Sequence, residues 1–348
     1  MELHGIFQYL YDLMLEYGLS QTLADIISYV VLGFVVFGVL SLIALVLVYV
    51  ERKFAGHIQQ RLGPMRTGWH GWRQTIADAI KLLQKEDITA DAVDRPVFFW
   101  APIICFVAAF MAYICIPFGK GLIVADLNIG ILFILAITTF TIISMLMAGW
   151  GSNNKYALYG GMRSAAQVVS YEIPMVVSIL SVIIFTESLS MVDIVNTQQS
   201  IYQWYLFRLP FGPIAFAIYI IAATAETNRT PFDLPEAEQE LVAGFNVEYS
   251  GMKFAMFFLA EFVNMFTVSA IGATLFLGGW QGPEFLPSWF WFFIKTGALI
   301  IVFMLFRWTY PRLRVDQLME FAWKFLIPVA FANLVLAGIM KYTGWFNW

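Results

Sequence analysis

Eight runs of about twenty apolar residues restrict this chain to one class of structure. They cover Ile26–Val50, Val97–Pro117, Ile129–Trp150, Ser164–Phe185, Leu206–Ala225, Phe254–Leu277, Ser288–Trp308 and Phe321–Met340. A run of ~20 residues, at 1.5 Å each, matches the ~30 Å hydrocarbon core of a bilayer. Lipid offers no partner to backbone N–H and C=O groups, so each run is expected to satisfy its own as a helix. The expected fold is all-α: a polytopic membrane protein of about eight transmembrane helices, forming one membrane domain over residues 1–348. Charged residues make up 13% of the chain, against ~25% in soluble domains, and the near-neutral balance argues against nucleic acid as a partner. The fifth run is interrupted early by Arg208, Pro210 and Pro213. No internal repeat is evident, which argues against an inverted-repeat transporter.

Lys and Arg set the expected orientation. With spans alternating in direction, sixteen of the twenty bases fall on one side, eight of them in the 51–96 loop. The other side keeps Lys120, Arg208, Lys295 and Lys341. The positive-inside rule makes the first side cytoplasmic and puts both termini outside. The start of the chain lacks a basic n-region, so no signal peptide is expected. Leu3, Phe7, Leu10, Met14 and Tyr17 fall at helical spacing, which predicts a surface amphipathic segment within residues 1–25. In the 51–96 loop, Trp69, Trp72, Ile76, Ile80 and Leu83 recur every three or four residues, predicting a cytoplasmic amphipathic helix flat on the interface. Tyr202, Trp204, Tyr205 and Phe207 read as an outer aromatic belt and no site. Lys295 and Lys324 are placed to snorkel.

The segment between the fifth and sixth runs, 226–253, is strongly acidic. Over Glu226–Ser250 it holds Glu226, Asp233, Glu236, Glu238, Glu240 and Glu248 against Arg229, a formal charge of −5 in a chain of −4. An anionic leaflet would repel such a cytoplasmic loop, so it is expected to be buried against protein. Thr230-Pro231 and Leu234-Pro235 read as starts of short helical turns.

Two further acids, Glu172 and Glu261, sit within spans, each ~10–12 Å below the cytoplasmic surface at 1.5 Å per residue. A charged acid at mid-span costs ~2.5–3.5 kcal/mol on insertion scales. A carboxyl taken out of water is also a group that can give and take a proton near neutral pH. Two at one depth beneath an acidic loop point to a proton path; the plain alternative is a structural hydrogen bond from each to a neighbouring helix. Pro174, two residues after Glu172, predicts a kink there. The chain offers no redox centre of its own. Cys105 and Cys115 are the only thiols, whereas an iron–sulfur cluster needs four ligands. His4, His57 and His70 all lie outside the runs, and neither a P-loop nor a dinucleotide fingerprint is found.

Residue physics reaches a proton path in a membrane protein; the motifs go further. Glu226-Thr-Asn-Arg-Thr-Pro-Phe-Asp233, Glu236-Ala-Glu-Gln-Glu-Leu and Gly244-Phe-Asn-Val-Glu248-Tyr closely resemble the H-subunit family of proton-pumping NADH:quinone oxidoreductase, respiratory complex I. Glu51-Arg-Lys, Gln60-Arg-Leu-Gly-Pro64, Lys85-Glu-Asp87, Gly149-Trp-Gly-Ser-Asn-Asn-Lys-Tyr156, Ser170-Tyr-Glu-Ile and Ala260-Glu-Phe add to the resemblance, which spans about residues 26–340. One departure is visible: Met65 stands where the family usually has asparagine in Gly-Pro-Asn-Arg. Some members also carry an acid on the third span, where 129–150 has none.

The resemblance implies a membrane-arm subunit that frames the entrance and chamber for quinone and couples quinone reduction to proton translocation. It implies Glu51, Arg52, Arg61, Trp72, Arg229 and Phe232 at the quinone entrance and chamber. It places Glu226, Asp233, Glu236, Glu238, Glu240 and Glu248 on the chamber loop, and Glu172 and Glu261 on the proton path. NADH, FMN and the iron–sulfur clusters would lie on partner subunits of the hydrophilic arm, with other membrane-arm subunits and lipid as neighbours and no metal or cofactor on this chain. A bacterial inner membrane with periplasmic termini is implied rather than a mitochondrial one. The rival within the same ancestry is the equivalent subunit of a proton-pumping membrane-bound hydrogenase, which would bind no quinone.

Overall fold

In the computed structural model, residues 15–16, 20–235 and 238–344 are described. The five residues named for the N-terminal amphipathic segment lie outside them, as do Glu236 and the side chain of Glu238. The elements that matter here are α1 (Gln21–Ile58), α2 (Gln74–Gln84), α3 (Arg95–Met111), α4 (Gly130–Gly151) and α5 (Lys155–Thr186). They continue with α6 (Phe211–Glu226), α7 (Gly251–Phe276), α8 (Ser288–Thr309) and α9 (Val315–Tyr342), in which Phe321–Leu326 forms a π-helical turn. Among the described residues there is no strand, only an isolated bridge between Gly119 and Leu122.

Seven of these helices are long and apolar enough to cross a membrane, among the described residues; α2 and α6 are the exceptions. Helix α6 has 16 residues, ~24 Å, and it starts after Pro210 rather than at Leu206. Proline disfavours helical conformation in the residue before it, so Tyr205–Phe207 forms a separate 3₁₀ turn. Helix α5 is longer than its apolar run. The side chain of Asn154 accepts from the Tyr156 amide and caps it well before Ser164. Pro174 lies inside α5 without ending it.

Helix α7 is the most enclosed span, packing on α3, α6 and α8. Its second half reads Thr267-Val-Ser-Ala-Ile-Gly-Ala-Thr274, all buried. Small residues let neighbouring backbones approach where lipid supplies no hydrophobic driving force. Tyr219 of α6 uses that closeness, donating to the Val268 carbonyl at 2.7 Å. Helix α1 lies at the edge; its buried residues Leu40, Ala44, Val48, Glu51 and Ala55 form one stripe in its later half.

Loops gather alternately at the two ends, as up-and-down helices require. At one end Asn153 Nδ2 donates to Ala92 O at 2.9 Å, Ile88 N to Ser250 Oγ at 3.0 Å and Leu313 N to Pro231 O at 3.1 Å. At the other, Ser190 Oγ donates to Asp126 at 2.8 Å and Gln198 Nε2 to Thr274 O at 3.0 Å. Lys295 does not reach solvent. Its ammonium donates to the carbonyls of Leu277, Gly279 and Gln281 and lies 4.2 Å from the Trp204 ring. The amphipathic helix expected over 69–83 is α2, preceded by a 3₁₀ turn over Trp69–Gly71. Gly71 has φ +78°, and a Cβ there would meet the Pro64 carbonyl, so only glycine fits the break. Trp69, Trp72, Ile76, Ile80 and Leu83 are all exposed from this chain.

Candidate functional site

Four charged side chains from four parts of the chain meet where α1, α7 and α8 approach the loop after α6. Glu51 of α1 accepts from Arg229 Nη1 through both carboxylate oxygens, at 2.9 Å each. Arg307 of α8 reaches Glu51 at 2.6 Å. Arg229 Nη2 lies 3.0 Å from Glu261 of α7, and Arg307 lies 3.8 Å from the same oxygen. The Arg229 guanidinium also covers the Phe262 ring at 4.8 Å. Arg229 is 1% exposed and Glu51 6%. A buried charge is tolerated only when paired and hydrogen-bonded; here two cations meet two anions and the cluster is formally neutral.

The cluster divides two cavities. One of about 440 Å³ is lined by Glu51, Arg52 and Arg61 on one side and by Phe258, Phe262 and Trp308 on the other. A second of about 200 Å³ is lined by Glu226, Asn228, Glu261, Asn264 and Phe257. Phe258 and Arg307 line both. Glu226 is the last residue of α6 and faces the second cavity; its Oε2 is inaccessible and has no hydrogen-bond partner. Glu172 of α5 is close enough for its charge to act on Glu226. Its Oε1 accepts from Thr139 of α4 at 2.8 Å. Acids and cavities thus follow one another from the first cavity, through Glu51 and Glu261, to Glu226 and Glu172.

The 227–250 segment is fastened over this row. Asp233 pairs with Arg312 at 2.8 Å, Glu240 pairs with Arg163, and Glu248 accepts from Asn154 Nδ2 at 2.7 Å. Gln167 donates to Ala225 O at 2.8 Å and to Asn228 at 3.1 Å. Gly160 of α5 lets the Gly244 backbone approach so closely that a Cβ on Gly160 would lie 2.7 Å from the Gly244 Cα. The Tyr249 ring stacks on Phe98 at 4.1 Å, its hydroxyl donates to Phe98 O at 3.2 Å, and burial pushes that hydroxyl's pKa up. Among the described residues no group of side chains has a metal-ligating arrangement.

With this geometry in view, the relatives decide the family. The family model described as NADH dehydrogenase matches residues 17–338. The chain is 47% identical over 342 residues to an NADH-quinone oxidoreductase H subunit of Geobacter metallireducens, covering 92% of this chain and 98% of the relative. It is 51% identical over 308 residues to the NADH-quinone oxidoreductase H subunit of Dehalococcoides mccartyi, covering 87% and 84%. The Bacillus cytotoxicus H subunit is 47% identical over 92% of this chain and 93% of its own length. The chain belongs to the NADH dehydrogenase family.

The residues expected from that family resemblance fall into three sets. Glu51, Arg52 and Arg61 line one cavity together, with Arg52 also paired to Asp78 and Arg61 donating to Gln59 at 2.6 Å. Glu261, expected on a proton path, shares Arg229 with Glu51, expected at the quinone entrance, so residues of the two regions form one cluster. Glu172 stands apart from that cluster, held by Thr139 of α4. Trp72 and Phe232 do not line the larger cavity. Trp72 is half-exposed beside Arg73, and Phe232 is buried against Tyr171 at 5.2 Å. Pro231 lies in a turn rather than opening a helix, because Phe232 N turns back to Arg229 O at 2.8 Å. Glu226 ends a helix and does not begin the loop.

Sequence reasoning missed Arg307, counted only as a topology-setting base, and Thr139, which supplies a hydroxyl on the span that carries no acid. The Met65 sulfur lies 2.9 Å from Lys53 Nζ.

Proposed function

We propose that this chain is the quinone-chamber subunit of a membrane-bound NADH:quinone oxidoreductase, coupling quinone reduction to proton translocation. The reading is supported by the relatives' names and by one observation: a neutral four-charge cluster stands between an open cavity and a row of carboxylates. The cavity at Glu51, Arg52, Arg61 and Phe262 suits a quinone, with apolar walls for the ring and chain and charged groups for the carbonyl oxygens. The end carrying the 59–94 and 227–250 loops faces the cytoplasm, and the chain lies in a bacterial inner membrane with periplasmic termini. Partner subunits seat on that face, cover the apolar side of α2, and hold NADH, FMN and the iron–sulfur clusters.

Coupling is electrostatic. Reduction of the quinone draws protons and changes the charge seen by Glu51 and Arg229. Glu51 and Glu261 share Arg229, so a change at Glu51 alters how firmly Glu261 holds its own charge. Glu226 and Glu172 then respond in turn, with Asp233, Glu240 and Glu248 biasing the row from above. Carrying one charge against 100 mV takes ~2.3 kcal/mol, which a shift of that size at one carboxyl supplies.

Photolabelling of the assembled enzyme by an azido-quinone should mark residues 51–64 and 258–262. Glu261→Gln and Glu172→Gln should assemble normally and lose coupled proton movement. Labels confined to other segments, or full pumping in both variants, would overturn the proposal.

A further inference from the structure

The polar side chains lining the cavity beside the ion cluster are Glu51, Arg52, Arg61, Arg307 and Trp308. Resting on the reading of this cavity as a quinone site, we propose that Trp308 is a specificity-determining residue. Its indole N–H binds a carbonyl oxygen of oxidised quinone, which favours quinone over quinol.

Most of the other polar groups are already committed. Glu51 accepts from Arg229 through both carboxylate oxygens, and Arg307 holds one of the same oxygens. Arg52 is paired with Asp78 of α2. Arg61 gives its Nε–H to Gln59 at 2.6 Å. Trp308 differs from all of these. Its ring is half-buried, its Nε1 is buried, and that atom has no hydrogen-bond partner among the described residues. A buried indole N–H ordinarily finds one. The ring forms part of a cavity wall and the described side chains supply no acceptor, so the acceptor is assigned to the ligand.

The remaining wall sharpens the choice of ligand. Guanidinium and indole groups donate and cannot accept, and Glu51, the one side-chain acceptor on the wall, is engaged by two arginines. The cavity therefore offers donors. Oxidised quinone carries two carbonyl oxygens, which only accept. Quinol carries two hydroxyls, each with a proton that needs an acceptor. A site built to pair with one form discriminates against the form that leaves its groups unpaired. Drawing an arginine away from its carboxylate to serve the ligand would break a charge-assisted bond. The indole is neutral, so its pairing with a neutral carbonyl leaves the four-charge cluster intact. Trp308 directly follows Arg307 near the end of α8, so a quinone held there stands beside that cluster. The loop side of the cavity is preformed: Arg61 N donates to Gly56 O at 2.8 Å, and a Cβ on Gly56 would lie 2.8 Å from Gly63 N.

The test uses the complete enzyme in membrane vesicles, without oxygen or NADH. An azido-quinone is photolysed and its attachment to residues 51–64 and 258–308 is read by peptide mass spectrometry. Unlabelled short-chain quinone should displace the label at about fivefold lower concentration than its quinol, the worth of one neutral hydrogen bond. Trp308→Phe keeps a ring and removes the N–H; it should lose most of that preference, and its KM for the quinone should rise about fivefold. Trp308→His can place an Nε2–H where the indole carries its own. It should restore most of the preference at about pH 8, where imidazole is neutral. Equal displacement by quinone and quinol in the parent enzyme would overturn the proposal whatever the variants do, and so would a Trp308→Phe enzyme that keeps the parent's preference. Labelling in these segments with equal displacement overturns this inference alone. A parent enzyme labelled in neither segment would overturn the quinone reading of the cavity and this inference with it.

Discussion

Replacing Arg229 tests whether the four-charge cluster is held by charge balance. Arg229 is 1% exposed and is shared by Glu51 and Glu261. Arg229→Gln leaves two carboxylates facing Arg307 alone, a formal −1 around the buried Glu51. Breaking a buried ion pair by removing one partner costs roughly 3–5 kcal/mol. Chains of 150–250 residues lose ~2–4 °C of melting temperature per kcal/mol. At the lower of those slopes, the variant should melt roughly 6–10 °C below the parent. The double variant Arg229→Gln with Glu261→Gln restores neutrality, leaving Glu51 and Arg307 as a pair at 2.6 Å. It should therefore melt above the single variant despite carrying one more substitution. The assay is thermal unfolding of the detergent-extracted assembly, read by cysteine-reactive dye on buried Cys105 and Cys115. A single variant within about 2 °C of the parent, or a double variant that falls below the single by the sum of both changes, would refute the reasoning.

Three other outcomes follow from particular contacts. Gly160→Ala puts a methyl group into the Gly244 backbone; an overpacking cost of ~1–3 kcal/mol is expected, with faster hydrogen exchange over 240–249. Thr139→Val removes the 2.8 Å donor to Glu172, which should move the carboxyl stretching band assigned to that acid in difference infrared spectra and lower stability by ~1.5–3 kcal/mol. Lys295→Met strips the donor from three carbonyls; exchange over 277–281 should rise, and the melting temperature should fall.

What could be read from the sequence was whatever local pattern encodes. Span positions follow from apolar run length, and α2 follows from the three-to-four spacing of Trp72, Ile76, Ile80 and Leu83. The acidic stretch after α6 stood out by charge alone. The rotation of each span about its axis did not. Helices apolar on every side carry little record of which face meets a neighbour, so nothing local showed that Glu51, 178 residues before Arg229, would meet it. Arg307 was visible only as one base among those that set orientation, because its partners lie on other helices. Thr139 was hidden in a Thr139-Phe-Thr-Ile-Ile-Ser144 run whose hydroxyls also reach their own backbone, that of Thr139 at 2.9 Å from the Leu135 carbonyl and that of Thr141 at 2.7 Å from the Thr138 carbonyl. The capped start of α5 at Asn154 was missed since the residues between it and Ser164 are less apolar than a span requires.

The four members of the ion cluster leave the ribosome in the order Glu51, Arg229, Glu261 and Arg307. Until α8 has been synthesised, the partly built bundle holds two acids and one base at this position and carries a surplus negative charge. Arg307 cancels it, so the compact arrangement is completed only when the penultimate long helix has been inserted. A chain terminated shortly before residue 307 therefore retains most of its apolar helices and still lacks the cation that closes them together.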